Sequence, residues 1–208
     1  MEKETIYFIF TDTGTHLSKL INYFTRQSLN HVSIGFDKEL TEVYSFGRKN
    51  PKNPFSGGFV RENIRGNFLK HADSAVFSLK VTAEEKEIIR SNIKRIEKNK
   101  KNYRYNFIGL IGVLLKIEIK RKYAFFCSEF VANVLKNTKT INLSKPTYFT
   151  TPSDIRNIMG MELIYFGKLG DYQYPKEPLK YENYETLFER KHSFLFNLKR
   201  KIKHIVYR

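Results

Sequence analysis

Phe125-Phe126-Cys127-Ser128-Glu129-Phe130-Val131-Ala132-Asn133-Val134-Leu135 is the stretch on which the reading of this chain turns. Phe130, Val131, Val134 and Leu135 recur at helical spacing, and Cys127 lies one turn before Val131 on the same stripe. The single cysteine of the chain therefore sits near the start of a helix and faces the protein. A free thiol titrates near about 8.5. A helix N-terminus and a neighbouring imidazolium both favour its anion, which is the nucleophilic form. Cys127 is placed for the first of these, and the second requires a histidine on an adjacent strand.

Of the five histidines, His192 and His204 fall in a basic tail, His71 in a polar connection, and His16 at the start of an amphipathic segment. His31 opens the run His31-Val32-Ser33-Ile34-Gly35-Phe36, which alternates as a half-buried strand does. It shares its side with Ser33 and Gly35, small residues that would let a helix approach closely on that face. On spacing alone His31 is the best partner for Cys127. A lone cysteine on the apolar side of a helix is more often a small core hydrophobe than a nucleophile, and a lone strand histidine is more often structural.

Around these two runs the patterns describe one α+β unit. Thr5 to Thr11 reads as a buried strand, and 15–26 as a helix. Asp37-Lys38-Glu39 turns the chain into a returning strand, Glu42 to Phe46. Residues 47–67, rich in Gly, Pro, Asn and basic side chains, read as one long loop. Ala75 to Val81 alternates as a strand. Thr82 then caps a helix over 83–99, with Glu85 completing the box. Tyr105 to Leu115 reads as a second, more buried helix, Thr151-Pro152 as the start of a short one, and Met161 to Phe166 as a further strand.

Composition bounds the function. The 208 residues include 18 Phe, 13 Tyr and no Trp, enough for a well-filled core or an apolar groove. A net charge of +16 attracts polyanions, whether nucleic acid, anionic lipid or acidic polymer, without choosing among them. One cysteine excludes an intramolecular disulfide. The start Met1-Glu2-Lys3-Glu4 lacks the basic region of a signal peptide. The apolar stretch Phe107 to Leu115 falls well short of the roughly 20 residues a membrane span needs. The expectation is a cytoplasmic protein, peripheral to the membrane if its basic tail docks there.

The histidine run resembles the histidine strand of the permuted NlpC-type cysteine peptidase superfamily. Tyr123-Ala124-Phe125-Phe126-Cys127-Ser128-Glu129-Phe130-Val131 resembles the superfamily's cysteine helix. Within it the nearest likeness is to the YiiX-like permuted papain-fold group, and more distantly to lecithin–retinol acyltransferase. The likeness covers about 5–166. It implies a circularly permuted papain-like fold, with an antiparallel sheet and the cysteine helix packed on it. It also implies a thiol hydrolase or acyltransferase in which His31 activates Cys127 toward a peptide, lipid or other acyl group, without a cofactor or metal.

Such families orient the imidazole from the strand after the histidine strand, here Glu42-Val43-Tyr44-Ser45-Phe46. Alignment favours Ser45, and charge favours Glu42, since a carboxylate steadies imidazolium better than a hydroxyl. The period of two puts these residues on opposite faces, so hairpin register decides between them. In the loop 47–67, Arg48 and Arg61 are candidates to bind an acidic substrate group. The reading assigns 1–170 to the domain and 171–208 to a basic extension that packs on it or lies peripheral. The stretch 189–208, basic with interleaved Phe, Leu and Ile, could dock on anionic membrane or, less readily, on nucleic acid. The rival function is a non-enzymatic binding protein on the same fold.

Overall fold

The computed structural model describes residues 3–14, 19, 22–23, 27–48, 57–115 and 117–175, with only the backbone at Arg48 and Leu114. The helix expected over 15–26 lies mostly outside the described residues, and the basic stretch 189–208 wholly so.

Strand β1 (Lys3–Asp12) is the hub. Its run Ile6-Tyr7-Phe8-Ile9-Phe10 is buried throughout, because neighbouring strands and packed layers cover both of its faces. A continuous apolar run of this kind marks a strand at the centre of a sheet. β2 (His31–Gly35) and β5 (Asp73–Thr82) flank it. β3 (Val43–Arg48) and β4 (Gly57–Glu62) extend one side, and β8 (Glu162–Lys168) closes the other. The order is β4-β3-β2-β1-β5-β8, with every pairing antiparallel. A two-stranded parallel pair, β6 (Arg104–Tyr105) and β7 (Ala124–Phe125), lies outside this sheet.

Period-two alternation gives the sheet two apolar faces. One carries Phe8, Phe10, Val32, Ile34, Phe46 and Phe77. Packed on it are α1 (Ala83–Lys98) through Ile89, Ile93 and Ile96, and α3 (Cys127–Val134) through Phe130, Val131 and Val134. The other face carries Tyr7, Ile9, Val43, Val76 and Ile164, covered by Leu40, Ile64, Leu69, Leu169 and Tyr172. Thr82 caps α1 by accepting from the Glu85 amide at 3.2 Å, and the Glu85 carboxylate accepts from the Thr82 amide at 3.0 Å. α2 (Phe107–Leu115) and α4 (Pro152–Arg156) complete the helices among the described residues.

The structure corrects the sequence reading at three places. The expected loop 47–67 contains β4, which pairs along its whole length with β3. α2 is not more buried than α1, because Ile108, Ile111 and Leu115 are exposed. α3 does not approach the face shared by His31, Ser33 and Gly35; it packs on the opposite face, over Val32 and Ile34.

Candidate active site

His31 is the first residue of β2, so its side chain stands at the end of the sheet, where no further turn of strand covers it. Leu29, two residues earlier, is buried with a positive φ of 57°. That backbone region is unfavourable for a branched side chain, and it turns the chain into the strand. The turn brings the Asn30 carbonyl to 3.7 Å from Cys127 Sγ. On the other side of the pair, Tyr123 also has a positive φ, 57°, just before β7 and the cysteine helix. Strained backbone of this kind collects at functional sites.

Cys127 is the first residue of α3, after an extended Phe126 with φ −99° and ψ 174°. Phe126 has no side-chain oxygen to cap the helix. Glu129 supplies the reverse half of a cap, its carboxylate accepting from the Phe126 amide at 3.4 Å. The remaining first-turn amides, that of Cys127 included, have no acceptor within the helix and form its positive end. Ser128 anchors this turn by donating to the Thr150 carbonyl at 2.7 Å. The thiol is 6% exposed and opens into a cleft. Helix and strand thus meet end to end, and His31 reaches Cys127 at the rim of the sheet.

The imidazole has a second partner that sequence reasoning missed. His31 Nε2 lies 2.8 Å from Glu62 Oε1. The Glu62 side chain is 8% exposed and that of His31 21%. Sheet register explains the contact. In β3, Ser45 faces the same side as Val43, and Val43 stands opposite Glu62 of β4. Glu62 therefore projects onto the face that His31 and Ser33 share. Ser33 Oγ donates to Glu62 Oε2 at 2.7 Å, and Ser45 Oγ donates to Glu62 Oε1 at 2.5 Å. Nε2 is thus committed to the carboxylate, with Ser33 Oγ also 3.4 Å from it.

Burial disfavours charge on His31, but the Glu62 carboxylate, with hydrogen bonds to Cys127 and Glu62, outweighs it and raises its pKa to about 10. Burial would likewise raise Glu62, yet His31 and the hydroxyls of Ser45 and Ser33 hold its carboxyl below the usual range. Both groups are stabilised in their charged forms, so the imidazolium–carboxylate pair is the resting arrangement.

Of the two residues proposed from sequence to orient His31, neither does so directly. Ser45 reaches the site but bonds Glu62. Glu42 precedes β3 and binds Arg90 of α1 at 3.0 Å, with Tyr44 OH donating to it at 3.3 Å. Arg61 lines the cleft from β4, and Arg48 closes β3 opposite Gly57. The sequence offers no alternation to mark Glu62, since Phe59-Val60 and Arg61-Glu62 fall as two apolar and then two charged residues after a glycine pair. Gly57 itself is required, since a Cβ there would lie 2.8 Å from both the Gly47 carbonyl oxygen and Tyr105 Cβ.

The cleft over the pair has a volume of about 280 Å³. Val60, Phe68, Leu69, Tyr105 and Leu110 form apolar walls, and Asn30, Arg61 and Asn63 add polar groups. Small-molecule sites combine an apolar lining with a few placed polar groups in this way. Among the described residues, no group of three or more His, Cys, Asp and Glu could hold a metal ion, and no helix is long and apolar enough to cross a membrane. Set against family models, curated proteins and solved structures, the chain gives no match.

Proposed function

We propose that this protein is a thiol-dependent hydrolase or acyltransferase with a permuted papain-like arrangement, in which Cys127 is the nucleophile, His31 the acid–base and Glu62 the residue that orients His31. The observation that carries the reading is the line Glu62–His31–Cys127, ending at a helix N-terminus inside an apolar-walled cleft. A buried carboxylate holding a histidine in one tautomer beside a nucleophile is the working logic of catalytic triads on unrelated folds. The order of the pair, histidine strand before cysteine helix, is that of the permuted superfamily the two runs resemble.

The cycle follows from these positions. His31 holds the thiol proton, and Glu62 steadies the resulting imidazolium through Nε2. The thiolate adds to an acyl carbonyl bound in the cleft. The oxygen of the tetrahedral adduct takes its negative charge beside the first-turn amides of α3, which can donate to it. Collapse breaks the bond to the leaving amine or alcohol, which takes the proton from His31, and leaves an acyl group as thioester on Cys127. Water or an acceptor alcohol or amine then gives its proton to His31 and attacks the thioester, releasing product and expelling Cys127 as thiolate beside the imidazolium, the state from which the cycle began. Water makes the enzyme an amidase or esterase; another acceptor makes it an acyltransferase. Arg61 at the cleft wall is placed to meet an acidic group of a substrate.

The rival reading, a binding protein with a relic site, drew its strength from the absence of a clear third residue. Glu62, accepting from Ser33 and Ser45 beside His31, supports the catalytic reading over it.

The single cysteine makes the test unambiguous, because any thiol adduct is on Cys127. Iodoacetamide should alkylate the native protein at neutral pH at least about tenfold faster than His31→Ala, with Glu62→Gln between them. Incubation with an activated acyl ester should leave an acyl adduct on Cys127, seen by mass spectrometry and cleared by hydroxylamine. Equal alkylation rates in native protein and His31→Ala, with no acyl adduct, would overturn the proposal.

A further inference from the structure

α2 and the segment after it form a surface that the proposed chemistry does not use. The helix sequence, Phe107-Ile108-Gly109-Leu110-Ile111-Gly112-Val113-Leu114-Leu115, contains no charged or polar side chain. Ile108, Ile111 and Leu115 recur at spacings of three and four, so they share one face. They are 50%, 39% and 61% exposed, and Ile117 just beyond is 53% exposed. The Ile117 amide donates to the Gly112 carbonyl at 2.8 Å, folding the following segment back along the helix and placing Ile117 near the same stripe. A contiguous apolar ridge on a water-facing surface marks an interaction site, whereas isolated surface leucines do not.

The rim of this ridge is basic. Lys100, Lys101 and Arg104 precede the helix, and Lys120, Arg121 and Lys122 follow it; all six are exposed. The Arg104 amide donates to the Tyr123 carbonyl at 2.9 Å, which brings the two basic clusters to one side of the molecule. Glu118 is the one acid between residues 100 and 122, and it is paired with Lys120. An apolar ridge framed by cations matches the interface of an anionic membrane, where side chains enter the acyl region and lysines meet phosphate. A nucleic acid would use the cations but has nothing to fill the ridge with. The chain's own stretch 189–208 carries the same sign of charge as the rim and does not complement it.

We infer that α2 and the segment to Tyr123 form a docking surface for anionic membranes, with Ile108, Ile111, Leu115 and Ile117 inserted and the basic rim on the headgroups. Leu110 of the same helix lines the cleft over Cys127, as does Phe68, itself 44% exposed. α2 therefore carries a wall of the cleft on one side and the docking ridge on another. The inference concerns binding alone and stands whether or not Cys127 is a nucleophile.

The absence of tryptophan supplies a clean probe. Full-length Ile111→Trp should emit as a water-exposed indole in buffer. It should shift to the blue, and be quenched by brominated acyl chains, when phosphatidylserine-containing vesicles are added. Unsubstituted protein should co-sediment with those vesicles, less well at high salt, and hardly at all with pure phosphatidylcholine. Ile108→Glu/Ile111→Glu should bind at least about tenfold more weakly. An indole already blue-shifted in buffer would show that another part of the chain covers the ridge, and would overturn the inference. So would an indole that vesicles leave unchanged, or vesicle binding equal in the protein and its double variant. Tight binding to duplex DNA by protein and double variant alike, without vesicle binding, would assign the basic rim to nucleic acid instead.

Discussion

Glu62 decides the behaviour of His31, and the causes of the histidine's shift show why. Burial alone pushes the imidazole toward its neutral form, and the carboxylate reverses this. The sign of the linkage follows. His31 is raised above its unfolded value of 6.5, so its contribution to stability is full below that pH and is lost as pH rises through about 10. Glu62 is lowered below 4.5, so its contribution is present above that pH and is lost as pH falls through its depressed value. The pair is therefore intact from mildly acidic to clearly alkaline pH. In Glu62→Gln the burial effect is left without its main opponent, and the His31 titration should fall by several units, toward or below the ordinary range. Histidine ring resonances followed against pH measure this directly; an unmoved titration would mean that Cys127, not Glu62, holds the proton on His31. This residue was hard to read from sequence because charge on a strand after a glycine pair resembles solvated loop. Only the β3–β4 register turns Glu62 inward, and register across an unrecognised hairpin is not written in local pattern.

At the scale of elements, the cysteine helix is fixed at its start by an unusual cap. Asn106 is fully buried. Its Oδ1 accepts from the Gly109 amide at 2.9 Å, capping α2, while its Nδ2 donates to Glu129 of α3 at 3.1 Å. One side chain thus joins the starts of two helices. A Cβ on Gly109 would collide with the Asn106 side chain and displace it from these two bonds. The arrangement leaves Glu129 in apolar surroundings, and burial raises its pKa to about 7 against the hydrogen bonds from Asn106 and the Phe126 amide. A carboxyl raised above its unfolded 4.5 contributes fully below that pH, and its contribution is lost as pH rises through about 7. Glu129→Gln keeps an oxygen for both donors and removes the titration. It should therefore lose about 2–3 kcal/mol less stability than the native protein between pH 5 and pH 8.5. Urea unfolding at the two pH values reads the difference, and equal losses in both proteins would show that Glu129 is not the group responsible. Most elements here were legible. Ile, Tyr and Phe runs mark β1, alternation marks β2 and β5, and the Thr82–Glu85 spacing marks the start of α1. What periodicity could not report was exposure. The sequence of α2 is apolar all round, which normally means burial, yet half of that helix faces outward.

Across the whole molecule, the sheet separates two jobs. The site lies at the β2–β3–β4 side, where α3 packs over Phe46 and Phe59, and β8 forms the far edge. This explains why the face on which Cys127 and His31 meet differs from the one their strand and helix patterns suggest. Cys127 and His31 stand on elements whose apolar patterns face the same core, but His31 points to the opposite face, and the two side chains meet only because both begin their elements at one end of the sheet. A pattern of faces does not reveal which ends coincide. The separation predicts two kinds of core variant. Phe130 lies with its ring 5.7 Å from Phe46 and 5.9 Å from Phe59, so it fixes α3 against the strands that carry Ser45 and Glu62. Phe130→Ala should cost about 3–5 kcal/mol and also slow Cys127 alkylation severalfold, because the helix start can then drift from His31. Ile164 on β8 is equally buried, on the opposite face and near the far edge. Ile164→Ala should cost about 2–5 kcal/mol and leave the alkylation rate of the folded protein unchanged. Urea midpoints and alkylation rates, measured on both variants below their unfolding transitions, separate the two effects. If the two variants slow the thiol equally, the packing of α3 on Phe46 and Phe59 is not what sets the Cys127–His31 geometry.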